Sequence, residues 1–142
     1  MSNTLTSQPA GHWPARRSII SAQLQTQFGM DQGLSIEQCL AGSGLTLSQL
    51  GDPASEIDAS QELILIGNLV AALGHIPDLG LLAGQRYHLS TYGIWGFALL
   101  SCPTLRSAAN MGLRYLDLTY AFCRMHLEDH GEDMHLRLDD QD

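Results

Sequence analysis

Three histidines crowd the C-terminal end of this 142-residue sequence, His126, His130 and His135, and one cysteine, Cys102, stands beside a proline at the start of a helical pattern. Those are the residue types that could do chemistry. Imidazoles bind zinc or nickel, and a hairpin folded at His130-Gly131 sets His126 across from His135. No cysteine joins that pair, so solvated strand and turn histidines are the simpler reading, and no metal is assigned. Asp129, Glu132 and Asp133 read as the charged tip of the same hairpin. Cys102 precedes Pro103 near a helix N-terminus, where a thiol can be acidified, yet a core or capping role is simpler. The chain has no G-x-S-x-G, no glycine-rich phosphate loop and no H-E-x-x-H, so no catalytic residue and no cofactor is assigned. Tyr92, Trp95, Arg114, Tyr115 and Tyr120 remain as candidates to line a small-molecule pocket, with Arg114 receiving an anionic group. Packing in the core is the simpler account of the rings, and a solvated face that of Arg114.

These side chains need elements to position them. Residues 88 to 118 supply the central stretch, in which Gly93, Gly96 and Ala98 alternate with Tyr92, Ile94, Trp95, Phe97, Leu99 and Leu100. Such a mixture predicts a buried helix at the centre of the core. A second helix follows, with Pro103 in its first turn and an apolar stripe of Leu105, Ala108, Ala109, Gly112, Leu113 and Leu116 at the helical period. Upstream, Ile19, Ile20, Leu24 and Phe28 share one helical face, and Gly29 is placed to stop it. Ser35 with Gln38, and Thr46 with Gln49, spell two capping boxes, each followed by a glycine, Gly42 and Gly51. A helix from Asp58 or Ser60 to Gly74 carries apolar residues on both faces, which predicts burial between two layers. Pro77-Asp78 opens one more.

After Thr119 the apolar period changes to two. Cys123, Met125 and Leu127 alternate with polar residues, and Met134, Leu136 and Leu138 do the same beyond the turn. Pairing Leu127 with Met134, Met125 with Leu136 and Cys123 with Leu138 puts all six on one face, but sets Arg124 against Arg137. The predicted fold is α+β: N-terminal helices packed against a small antiparallel sheet that begins with the hairpin 121–139 and is left incomplete. Residues 1–16 read as a disordered arm and 17–142 as one truncated domain, since a lone hairpin with an open edge is marginal in water.

Fifteen acidic residues stand against seven basic ones, a net charge of −8, so this polypeptide lacks the basic surface that phosphate binding needs. No apolar run is long enough to span a bilayer and no secretory leader is visible, which predicts a cytoplasmic protein without disulfides. The three cysteines, Cys39, Cys102 and Cys123, read as free thiols.

The order of features also carries a resemblance. Asp78-Leu79-Gly80-Leu81, Ala83-Gly84, His88-Leu89-Ser90-Thr91-Tyr92-Gly93, Phe97 to Leu105 (FALLSCPTL) and Leu113-Arg114-Tyr115-Leu116 together resemble the N-terminal sensor domain of AraC-type transcriptional regulators. The branch is the one that carries the arabinose-binding-domain name and includes ornithine-utilisation regulators. The resemblance implies a bacterial ligand-sensing domain that binds a small-molecule effector, with an amino acid or a related metabolite as the candidate class. It also implies a homodimer that reaches DNA only through a C-terminal helix-turn-helix domain absent from this sequence. The helix-first order differs from the strand-rich barrel of the arabinose sensor, so arabinose itself is not implied. The rivals are a stand-alone oligomerisation module and a small metal- or thiol-dependent enzyme using His126, His135 or Cys102.

Overall fold

The computed structural model describes the backbone of residues 4–6 and all of residues 15–139. The chain divides into two compact units, Pro14–Thr91 and a second formed by Met1–Trp13 with Tyr92–Asp142. We call them the helical unit and the hairpin unit. The elements are α+β, as the sequence predicts. Most of the expected arm, residues 1–16, lies outside the described residues; within it Thr4–Thr6 is a strand (β1) and Arg16 begins another.

In the helical unit β2 (Arg16–Ser18) pairs antiparallel with β3 (Glu56–Asp58), Arg17 opposite Ile57. The helices are α1 (Ile20–Asp31), α2 (Ile36–Leu40), α3 (Leu47–Leu50), α4 (Ala59–Leu73) and α5 (Leu79–Gly84). Both capping boxes form as read: the Gln38 amide N–H donates to Ser35 Oγ at 3.1 Å, and that of Gln49 to Thr46 Oγ1 at 3.2 Å. These reciprocal bonds satisfy N–H groups that a helix start leaves orphaned. The core collects Ile19, Ala22, Phe28, Cys39, Leu45, Ile57, Leu65, Leu69 and Leu73. Each fully buried aliphatic side chain there contributes roughly 1.5–3 kcal/mol.

Three expectations for this unit are corrected. Gly29 does not stop α1; it is buried inside the helix, where an added Cβ would come within 2.6 Å of both Cys39 Sγ and Leu69 Cδ2. Close approach of neighbouring side chains is its role, and the left-handed stop falls to Gly33, at φ +96°. The helix α4 is not buried on both faces. Ala59, Glu62, Leu65, Leu69 and Leu73 are buried while Leu63, Ile64 and Val70 are exposed. Nor is the order helix-first, since β2 precedes α1 and β3 stands between α3 and α4.

In the hairpin unit α6 (Gly93–Leu100) and α7 (Leu105–Arg114) lead to a three-stranded antiparallel sheet of order β1-β4-β5, with β4 (Arg124–Asp129) between β1 and β5 (Met134–Asp139). The helix α7 packs on β4. Thr104 caps α7, accepting from the Ser107 amide at 3.1 Å, so Pro103 lies one residue before the cap rather than in the first turn. The helix α6 is not the centre of a core. Only Gly96 is buried in it, whereas Ile94, Phe97 and Leu100, at helical spacing, are 80%, 63% and 66% exposed.

The hairpin keeps the expected faces but slides by two residues. Leu127 pairs with Leu136, Met125 with Leu138, Arg124 with Asp139 and Glu128 with His135. The reason is the loop: Asp129 and Met134 close the ladder around four residues, with the His130 amide donating to Asp133 O at 2.9 Å and Gly131 at φ +86°. The slide also replaces the Arg124–Arg137 clash with a pair of opposite charges, which favours it further.

Candidate functional site

The helix α6 begins after a 3-10 turn, Leu89–Tyr92, so Tyr92 and Trp95 emerge one helical turn apart. Their ring centroids lie 5.3 Å apart, and Tyr120 joins on the other side of Tyr92 at 5.5 Å. Tilted contacts at these distances are the arrangement that aromatic quadrupoles favour. All three rings are half-buried. The Trp95 indole donates from Nε1 to Gly112 O at 3.2 Å, which fixes the ring against α7. Gly112 makes that approach possible, because a Cβ there would stand 3.2 Å from both Trp95 Cζ2 and Leu99 Cδ2. Three of the five residues singled out in the sequence are thus brought together.

The other two are not. Arg114 is the last residue of α7 and Tyr115 its C-terminal cap, and both are exposed. No ring contact among the described residues includes Tyr115. A guanidinium in the last turn already faces the negative end of the helix dipole, a favourable place for it without any ligand.

The reactive candidates are quiet. Cys102 is half-buried and its thiol donates to Ala98 O at 3.3 Å, one helical turn back. Cys39 is buried and burial pushes its thiol pKa up, the opposite of activation. All three cysteines are free thiols. His126 does not face His135; its Nε2 sits 2.8 Å from Asp139 Oδ2.

One polar constellation escaped the reading of the sequence. In the helical unit Arg17 Nη1 meets Glu62 Oε2 at 3.0 Å, with the two side chains 3% and 0% exposed. Ser21 Oγ donates to Glu62 Oε1, Gln25 Nε2 reaches the same oxygen at 3.1 Å, and the Tyr87 hydroxyl lies 2.7 Å from Ser21 Oγ. The signal was present: Glu62 shares a helical face with Leu65, Leu69 and Leu73, so a charge stood on an apolar stripe. A buried carboxylate with this many donors is held in place rather than poised for reaction.

Among the described residues no helix is long and apolar enough to cross a membrane. The profile of the arabinose-binding domain of AraC transcription regulators, N-terminal, matches residues 33–142. Two curated relatives, uncharacterized HTH-type transcriptional regulators of Mycobacterium bovis and Mycobacterium tuberculosis, are each 28% identical over 133 residues. That alignment covers 91% of this chain, and the chain spans about two-fifths (39%) of the length of each relative. No solved structure matches the chain significantly. With a family profile covering most of the sequence, and transcriptional regulators on both sides of the comparison, the chain belongs to the family of N-terminal arabinose-binding domains of AraC transcription regulators.

Proposed function

We propose that this domain is the effector-sensing part of an AraC-type transcription factor, and that it acts by binding rather than by catalysis. The family supports the regulatory role. The observation that supports the site is the half-buried cluster of Tyr92, Trp95 and Tyr120, in ring contact and with Trp95 bonded to Gly112 O. Clustered aromatic rings with few polar groups beside them suit a small organic effector. An amino acid or related metabolite is our candidate class, with Arg114 and Tyr115 serving at most at the rim.

Such a ligand would act through the difference in its affinity for two arrangements of the sensor, shifting the population of DNA-competent regulator. Coupling of about 1–3 kcal/mol is the usual scale. The exposed Ile94, Phe97 and Leu100 on one side of α6 support self-association in the same reading, because contiguous apolar surface tends to mark an interface. In this reading the protein works in the cytoplasm and touches DNA only through a separate helix-turn-helix domain.

The test is calorimetric titration of the purified protein with a panel of amino acids and their derivatives, arabinose included. Saturable binding that is weakened at least about tenfold by Trp95→Ala, which corresponds to about 1.4 kcal/mol, would support this site. Binding unchanged by Trp95→Ala and Tyr92→Ala would remove it.

A further inference from the structure

The two-residue slide of the hairpin regroups the histidines. Glu128 of β4 lies directly opposite His135 of β5, and the loop between them carries His130. One ligand atom from each of these three residues lies within 4.8 Å of the other two. His130 Nε2 is 3.6 Å from Glu128 Oε2, and the two imidazole centroids are 4.8 Å apart. We propose that the β4–β5 tip is a binding site for a divalent first-row transition ion, zinc in the first instance, with His130, His135 and Glu128 as its ligands.

The chemistry of the donor set fits. Two imidazoles and one carboxylate are a recurrent zinc set, and bonds of about 2.0–2.1 Å in a tetrahedron put ligand atoms about 3.3 Å apart. The Glu128–His130 pair is already near that spacing. His135 has to close by a modest side-chain rotation, which its exposed position allows. A fourth position is left for water.

The surroundings hold the ligands in place. Arg137 Nη1 sits 3.6 Å from Glu128 Oε1, while Oε2 is the oxygen 3.6 Å from His130 Nε2. The loop itself is tied down from α7, where Arg106 bonds both the Asp129 carboxylate and Gly131 O. The Gly131 amide donates to Asp129 Oδ1 at 2.9 Å. A loop already ordered loses less freedom on binding. Glu132 and Asp133 beside it add negative charge that attracts a cation.

The experiment is titration of the metal-free purified protein with zinc in competition with a chromophoric chelator, repeated with cobalt for its visible spectrum. The expected result is one ion per chain with a Kd of about 10 µM or tighter, and cobalt absorption of low-coordinate intensity. His130→Gln and His135→Gln should each weaken binding at least about tenfold, the least expected when a site's geometry is disturbed. His75→Gln and His88→Gln, at exposed histidines elsewhere, should leave it unchanged. Circular dichroism of each variant confirms the fold, which exposed histidines do not carry. Zinc bound only above about 100 µM, or bound equally by the His130 and His135 variants, or lost with the control variants, would overturn the site.

Discussion

The two units differ in what they bury, although both leave large apolar side chains exposed. The helical unit buries Leu65, Leu69 and Leu73 on one face of α4 and even draws in an arginine and a glutamate, Arg17 and Glu62. The hairpin unit buries Leu113 and Leu127 but leaves Ile94, Phe97, Leu100, Leu105, Leu136 and Leu138 largely exposed. Partly exposed ion pairs occur in both units, Arg106–Asp129 and Arg137–Asp139 in this one and Arg86–Asp31 in the helical one. The buried apolar core is therefore concentrated in the helical unit, while the hairpin unit carries the cluster of aromatic rings and the group of Glu128, His130 and His135. Under the proposed sensing function that division would be useful, since elements that respond to ligands come from the less stable part of a fold.

The contrast is broken most severely at Glu62. Glu62→Ala leaves the Arg17 guanidinium buried without its counter-charge, and a loss of about 3–5 kcal/mol is expected, measured by urea unfolding. Replacing both partners, Arg17→Met with Glu62→Met, should recover much of it, because apolar packing then replaces the pair. A double variant as unstable as Glu62→Ala would show that the surrounding Ser21, Gln25 and Tyr87 network, not the ion pair, carries the effect.

Two glycines sharpen the comparison at a smaller scale. Gly29→Ala drives a methyl to 2.6 Å from buried Cys39 and Leu69, so overpacking should cost about 1–3 kcal/mol. Gly112→Ala meets Trp95 and Leu99 at 3.2 Å, and a shift of those half-buried chains relieves most of it. The gain of roughly 0.5–1 kcal/mol from alanine in a helix offsets the remainder. Stability should thus hardly change at Gly112, while tryptophan fluorescence reports the moved Trp95. Equal destabilisation at both sites would contradict the idea that the hairpin unit is the more yielding.

Surface changes should matter least for stability. Phe97→Ser, at a position 63% exposed, is expected to change unfolding free energy by less than about 0.5 kcal/mol and to reduce self-association in light scattering. Asp129 gives a pH reading of the same unit. Hydrogen bonds from Arg106, then from the Gly131 amide, hold its carboxyl below the usual value of 3.8. A depressed pKa means that this contribution is present above the ordinary carboxylate range and is lost as acidification protonates the group. The loop amides should therefore shift in NMR spectra at a lower pH than a free aspartate would give. A midpoint at or above the ordinary value would show that the Arg106 tie is not made in solution.

Local rules were fully legible where the partners are close in sequence. Ser35 with Gln38 and Thr46 with Gln49 are three residues apart, so backbone geometry alone brings them together. The α+β class, the end of α4 at Gly74 and the faces of the hairpin follow from period and punctuation in the same way. Of the candidate site, the aromatic residues could be named, but not which of them meet. Tyr120 is 28 positions from Tyr92, and their contact depends on how α7 returns the chain.

Tertiary structure decided the rest, for reasons of symmetry and distance. An alternation of period two is unchanged by a slide of two residues, so the pattern specified the apolar face of the hairpin but could not choose its register. The four-residue loop and the opposite charges of Arg124 and Asp139 made that choice, and with it placed Glu128, rather than His126, beside His135. Gly29 could be either a stop or a contact until Cys39 and Leu69 were laid against it. Glu62 could be a solvated charge until Arg17, 45 residues away, came to meet it.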